Sequence, residues 1–165
     1  MKLKNIAAAS VVAFTALSSH AASTNWGSHD ALELGGNTVT SGAIFDTYSF
    51  SLASTSSVTS GVMSFGNIVG GAYSLYSFGA DGMMGTGDDV GLGAWTFGGM
   101  PTTHTVSLTS GNYYYSVLGG VTGSASYAIA STATTAPVPE PETYALLGAG
   151  LGVIGFVASR RRRES

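Results

Sequence analysis

Apolar and polar residues alternate with a period of two through the interior of the chain. The clearest case is the segment AIFDTYSFSL, residues 43–52. One side of this segment carries Ile44, Asp46, Tyr48, Phe50 and Leu52. Because successive side chains of a strand point to opposite faces, the alternation predicts a β-strand with one face turned toward a core.

Six further segments have the same character, with shorter or less regular alternation. They are residues 57–65, 72–78, 92–97, 103–108, 112–118 and 124–130. Gly- and Asn-rich turns separate them, and no interior run has a helical period. Short strands joined by glycine turns are typical of all-β folds, so we predict a single β-sandwich or jelly roll over residues 22–130.

The start of the chain has the pattern of a secretory signal peptide, predicted over residues 1–21. Lys2 and Lys4 give it a positive beginning, and an apolar core follows. Small residues then precede a predicted signal peptidase cut after Ala21, with a cut after Ala22 as the alternative. The mature protein would therefore be exported.

The end of the chain has three parts in a fixed order: a proline-rich entry, an apolar run and an arginine cluster. The proline-rich entry consists of Pro139, Glu140 and Pro141, and the arginine cluster consists of Arg160, Arg161, Arg162 and Arg163. The apolar run between them predicts a transmembrane helix at about residues 143–159. At about 1.5 Å per residue such a helix spans roughly 25 Å, and the arginines would stay on the cytoplasmic side.

This tripartite end, residues 139–165, resembles the PEP-CTERM sorting signal of Gram-negative bacteria. The resemblance implies transient anchoring in the inner membrane and recognition by an exosortase-type membrane protease. It also implies a mature form at the cell surface or outside the cell. A plain stop-transfer anchor is the alternative interpretation. Between sandwich and signal, residues 131–138 are rich in Ser, Thr, Ala and Pro, which predicts a linker.

Two interior segments carry further resemblances. IFDTYSFSL resembles the FxDxF motif of small PEP-CTERM proteins: Asp46 and Phe50 match, while Ile44 and Tyr48 replace phenylalanines. The stretch TVSLTSGNYYYSVLGGVTGSASYAIA, residues 105–130, is similar to the end of bacterial prepeptidase-C-terminal-like sandwiches. The second resemblance implies a fold and no function.

The charge distribution excludes one class of partner. Every Lys and Arg lies in a terminal segment, at Lys2, Lys4 and residues 160–163. The predicted domain carries only acids, at Asp30, Glu33, Asp46, Asp81, Asp88 and Asp89. A surface without cations cannot gain by releasing counterions from phosphates, so nucleic-acid binding is excluded. The chain has no cysteine, so stability must come from packing.

Asp81, Asp88 and Asp89 form the candidate metal site of the sequence. They are hard oxygen donors on a glycine-rich loop, which calcium prefers. The alternating Asp/Asn pattern and the terminal Glu of calcium loops are missing, so a solvated loop without metal is the alternative. No other cofactor is indicated. Asp46 is interpreted either as a ligand or as a structural, hydrogen-bonded acid, since a buried unpaired carboxylate is costly.

Trp95, Tyr113 and Tyr115 are candidates for stacking on sugar rings, because their rings combine an apolar face with a polar edge. The alternative is that these aromatic residues build the core. His29 and His104 are the histidines of the predicted domain, and no nucleophile elbow is present. We therefore predict no catalytic residues and a non-enzymatic surface or extracellular-matrix protein associated with exopolysaccharide. A carbohydrate-binding module on the same scaffold is the alternative function.

Overall fold

Two β-sheets build the interior of the chain, and a helix follows them. The computed structural model describes residues 19–135 and 141–161. The chain divides into two compact units, Met1–Thr135 and Ala136–Ser165. The first unit contains all the described strands and the second contains the described helix. The all-β prediction for the interior is therefore confirmed.

Ten strands and one helix make up the described part of the chain. The strands are β1 (Ser19–His20), β2 (Ser23–Ser28), β3 (Glu33–Val39), β4 (Gly42–Leu52), β5 (Ser56–Phe65), β6 (Ile68–Ser77), β7 (Val90–Thr96), β8 (Thr102–Leu108), β9 (Gly111–Val121) and β10 (Ala125–Thr135). The helix is α1 (Pro141–Arg161). The first sheet has the order β1-β4-β9-β6-β7, with β2 also paired to β4, and the second has the order β3-β10-β5-β8.

Strand β4 sets the pattern of the core. The five residues predicted to share one side are all buried, whereas Phe45 on the other side is 51 % exposed. Strands β1 and β2 pair with β4 in parallel, one after the other along the same edge. Strand β9 pairs with the opposite edge of β4 and with β6. Its central residues, 113–117, are buried on both faces.

The seven strands predicted from alternation are present as β4 to β10, several of them longer than predicted. Strands β1, β2 and β3 were not predicted as strands, and β1 lies within the predicted signal peptide. Strand β3 contains Gly35 and Gly36, which depress the strand signal of its sequence. The glycine at position 36 is required by the packing, because a Cβ there would lie 2.4 Å from the carbonyl oxygen of Tyr127. Only a residue without a side chain lets β3 approach β10 so closely.

The predicted linker is wrong over residues 131–135. Strand β10 continues to Thr135, which pairs with Ser56 of β5. Ser131, placed in the linker from composition alone, is fully buried and hydrogen-bonded to His29 and Tyr115. Threonine is β-branched and therefore common in strands, but it is also common in linkers. Composition alone could not distinguish the two, which explains the error. Residues 136–138 of the predicted linker and residues 1–18 of the predicted signal peptide lie outside the described residues.

The close approach at position 36 gives a stability prediction. Gly36→Ala should lower the free energy of unfolding by about 1–3 kcal/mol, because the new Cβ meets backbone atoms that cannot rotate away. Gly87→Ala is the matched control, since a Cβ at position 87 meets nothing within 4 Å. Urea unfolding of both variants measures the difference. Equal midpoints for the two variants would show that β3 can move away from β10 without cost.

Candidate functional site

The C-terminal segment is an apolar helix with an uncovered surface. Helix α1 begins at Pro141, a position where proline is favoured because its missing N–H is not needed there. Tyr144, Leu147, Leu151 and Ile154 are between 61 and 67 % exposed. Contiguous exposed apolar side chains mark a surface that another molecule covers.

Parts of the predicted sorting motif lie outside the described residues. Pro139, Glu140, Arg162 and Arg163 are among these, whereas Arg160 is exposed at the end of α1. Across the described residues, helices fall short of the combined length and apolarity needed to cross a membrane. The predicted helix is thus present, with bounds close to those predicted, but its transmembrane character is not confirmed.

A buried carboxylate forms a second candidate site, inside the sandwich. Asp46 is 0 % exposed and accepts hydrogen bonds from three separate segments of the chain. The backbone N–H of Ala22 donates to Oδ1 at 2.7 Å. The Nδ2 group of Asn37 and the hydroxyl of Tyr127 donate to Oδ2 at 3.0 and 2.5 Å. The structure therefore supports the interpretation of Asp46 as a structural, hydrogen-bonded acid.

The tyrosines around Asp46 are held in their neutral form. The hydroxyls of Tyr48 and Tyr127 lie 2.8 Å apart and are buried. Burial, followed by the hydrogen bond to Asp46, raises the pKa of Tyr127 far above its ordinary value. Burial also raises the pKa of Tyr48. Both hydroxyls thus remain available as donors across the physiological pH range.

One histidine and one serine approach each other in the same unit. Nε2 of His29 lies 2.8 Å from Oγ of Ser131, and the hydroxyl of Tyr115 lies 3.1 Å from the same oxygen. Strand alternation gave no signal for this contact, because the residues are 102 positions apart. Ser131 is fully buried, so its hydroxyl serves as a hydrogen-bonding partner between the sheets.

The acidic loop between β6 and β7 is held by its own hydrogen bonds. Asp89 accepts from the N–H groups of Gly79, Gly85 and Thr86 and from the hydroxyl of Tyr114. The bond from Tyr114 is the main cause that lowers the pKa of Asp89. Burial and this same bond raise the pKa of Tyr114 to about 12.

The two other acids of the loop are used in the same way. Asp88 accepts from Oγ1 of Thr86 at 2.6 Å and from the N–H of Asp81, and the first of these bonds is the main cause that lowers the pKa of Asp88. Asp81 accepts from the N–H of Met83. Within the described residues, no three acidic, histidine or cysteine side chains are arranged to hold a metal ion. The calcium hypothesis for Asp81, Asp88 and Asp89 gains no support from this geometry.

The predicted sugar-stacking residues do not form a platform. Tyr115 is 0 % exposed and Tyr113 is 5 % exposed, and both rings stack on Phe50 inside the core. These two predictions are wrong, because both residues lie on the inner face of β9. Trp95 is partly buried against the core, and its ring stacks on His104 with centroids 4.8 Å apart.

The fold and these sites define a β-sandwich followed by an exposed apolar helix. Residues 137–163 match the family model of the PEP-CTERM protein-sorting motif. The chain therefore carries this sorting motif, as its three-part end predicted. The motif implies recognition by an exosortase-type membrane protease and export to the cell envelope of Gram-negative bacteria. The resemblance of residues 44–50 to the FxDxF family is not confirmed.

Comparison with solved structures finds distant similarities. The chain is similar to the pre-peptidase C-terminal domain of a collagenase from Bacillus anthracis, with 15 % identity and a TM-score of 0.49, over 67 % of this chain and 94 % of that one. It is also similar to PliG, a periplasmic inhibitor of g-type lysozyme from Aeromonas hydrophila, with 13 % identity and a TM-score of 0.41, over 69 % and 99 % of the chains. No curated protein matches the chain.

The buried tyrosines predict a loss of stability in alkali. The pKa of Tyr127 is raised in the folded protein above the ordinary value of 10.0. The contribution of the protonated Tyr127 hydroxyl to the free energy of unfolding is therefore fully present below about pH 10. Above that pH the unfolded chain loses the phenolic proton while the folded chain keeps it, and the free energy of unfolding falls. Tyr127→Phe should make this fall shallower. It should also reduce stability at neutral pH by about 1.5–3 kcal/mol, because Asp46 loses a donor.

Denaturant unfolding at neutral pH and at several values above pH 10 measures both effects. Tyr144→Phe, at an exposed tyrosine of α1, is the control and should leave both quantities unchanged. If Tyr127→Phe unfolds with the same pH slope as the unsubstituted protein, the hydroxyl of Tyr127 does not stay protonated in the folded state.

The acidic loop gives a separate prediction about calcium. Because its carboxylates already accept donors of the loop, the thermal midpoint should be the same in millimolar calcium and in chelator. An ion that binds only the folded state must raise the thermal midpoint of unfolding. A rise that Asp89→Asn abolishes would restore the calcium hypothesis.

Proposed function

We propose that this chain is an exported substrate of an exosortase-type protease, whose sandwich is delivered to the cell surface or beyond as a non-enzymatic protein. The observation that carries the proposal is the match of residues 137–163 to the PEP-CTERM sorting motif. The exposed apolar surface of α1 supports it, because a segment recognised by a membrane protease must present a surface that the protease can cover.

The proposed non-enzymatic role of the sandwich is supported by what its polar groups do. Asp46, His29 and Ser131 are engaged in hydrogen bonds that join separate segments of the chain, and Ser131 is fully buried. The carboxylates of the loop are bonded to loop donors. Groups that hold the fold together in this way are not free to meet a substrate.

We further propose that the mature protein associates with exopolysaccharide as a matrix component. Serine, threonine and glycine dominate its strands, and the domain has no cation that would direct it to phosphate-bearing partners. The burial of Tyr113 and Tyr115 disfavours the alternative of a carbohydrate-binding module that stacks sugars on these rings. Co-sedimentation with exopolysaccharide from the producing cells tests the association. An unrelated polysaccharide is the control. If the protein stays in solution with both polysaccharides, the proposed association is contradicted.

The sorting step gives a prediction about processing. Replacing Pro139 and Pro141 with alanine should leave an unprocessed, cell-associated precursor, because the Pro-Glu-Pro sequence that we propose the protease reads is lost. Pro101→Ala, at an exposed proline of the sandwich, is the control and should be processed normally. Intact mass of the protein in the cell and extracellular fractions reports the C-terminal cut. Normal processing of the double variant would mean that the Pro-Glu-Pro entry is not read.

A further inference from the structure

The position of Ala22 beside Asp46 links the predicted leader cut to the buried carboxylate. The nitrogen of Ala22 is the donor that lies 2.7 Å from Oδ1 of Asp46. This is the same nitrogen that a cut after Ala21 would release as the new chain terminus. Ala21 and Ala22 are exposed and line a groove of about 410 Å³ on the outer face of the first sheet.

The nitrogen is held in place by residues that follow the cut. The carbonyl of Ala22 accepts a hydrogen bond from the N–H of Thr47 at 2.8 Å. Ser23, the next residue, begins β2 and pairs with Thr47. Removal of the leader takes away the pairing of β1 with β4 but none of these contacts. The terminus would therefore stay beside Asp46 after processing.

The cut changes the charge at this nitrogen. Hydrolysis breaks the amide bond between Ala21 and Ala22; water supplies the hydroxyl of the new Ala21 carboxyl group and a hydrogen to the Ala22 nitrogen. The amine then takes up a proton, and the Ala21 carboxylate leaves with the leader. A neutral group with one N–H becomes an ammonium group with three, and a neighbouring carboxylate favours that charged form.

Neither lysine nor arginine is available in the sandwich to pair with Asp46. Between Lys4 and Arg160 the sequence contains neither Lys nor Arg. The side-chain donors to Asp46, Asn37 and Tyr127, are neutral. A buried carboxylate with only neutral partners gains most from a fixed positive charge at hydrogen-bond distance.

From this geometry we infer that Asp46 is the receptor site for the α-ammonium group of the mature chain, and that cleavage after Ala21 completes the fold with a partly buried ion pair. The inference rests on the proposed export, and it distinguishes the two predicted cuts. A cut after Ala22 would remove the nitrogen that faces Asp46, whereas a cut after Ala21 leaves it in place. Signal removal would then be a stabilising step as well as a release from the membrane.

The sequence provides a direct assay. Residues 22–165 contain no lysine, so the α-amino group is the single primary amine of a chain that begins at Ala22. An amine-reactive reagent followed by intact mass therefore reports this one group. The chain 22–165 is released from a cleavable fusion so that Ala22 is its first residue, and the control carries one additional glycine before Ala22. The glycine moves the amine by about 3.8 Å and restores an amide at Ala22.

We expect the amine of the Ala22 chain to be modified at least about tenfold more slowly than that of the glycine-extended chain, and its thermal midpoint to be several degrees higher. Asp46→Asn should abolish both differences. If Asp46→Asn does not fold, the comparison between the Ala22 chain and the glycine-extended chain, both with Asp46 unchanged, still tests the inference. Equal modification rates, or equal midpoints, would overturn the inference.

The test does not depend on sorting, because both chains are prepared without export. N-terminal sequencing of the exported protein examines the cut separately. Ala22 as the first residue supports the inference, and Ser23 as the first residue overturns it for the natural protein while leaving the proposed export intact.

Discussion

The structure depends on one carboxylate buried in a domain that has no lysine or arginine. Placing Asp46 inside the sandwich costs several kcal/mol unless donors surround it. These donors come from β3, from β10 and from the segment before β2. The two sheets and the edge of the first sheet must therefore be in place together before the carboxylate is satisfied. A single polar residue thus fixes how three distant segments meet.

Tyrosine hydroxyls extend the same principle through the core. Tyr73 donates to the carbonyl of Ser60, and Tyr115 lies within hydrogen-bond distance of Ser131. Each of these contacts joins the first sheet to the second. Tyrosine supplies a large apolar ring and one polar end, so it can fill space and fix register at the same time. In the part of the chain that the structure describes, no buried side-chain nitrogen or oxygen lacks a partner.

The strands could be predicted from alternation, because strand geometry imposes a period of two on any sheet with one buried face. The sequence placed Asp46 on the same side of β4 as Ile44 and Tyr48 and left two interpretations open, a ligand or a structural, hydrogen-bonded acid. It could not identify the donors, which lie nine, 24 and 81 residues away along the chain. The role of Tyr113 and Tyr115 was ambiguous for a similar reason. An aromatic ring can pack in a core or stack on a sugar, and only the register of β9 shows that these two rings lie in the core. The sorting motif was predictable because its three parts are adjacent and need no fold.

The burial of β9 on both faces has a consequence for how the sandwich opens. One face of this strand lies in the core, and Tyr114 on the other face stacks on Tyr76 and donates to Asp89 of the covering loop. Local opening begins where few apolar contacts protect the backbone and reaches fully covered strands last. Amide hydrogens in the centre of β9 should consequently exchange with solvent only through opening of the whole unit, whereas the mostly exposed strand β2 can open by itself. The edge formed by β2 should thus exchange its amide hydrogens before the centre of the sandwich does.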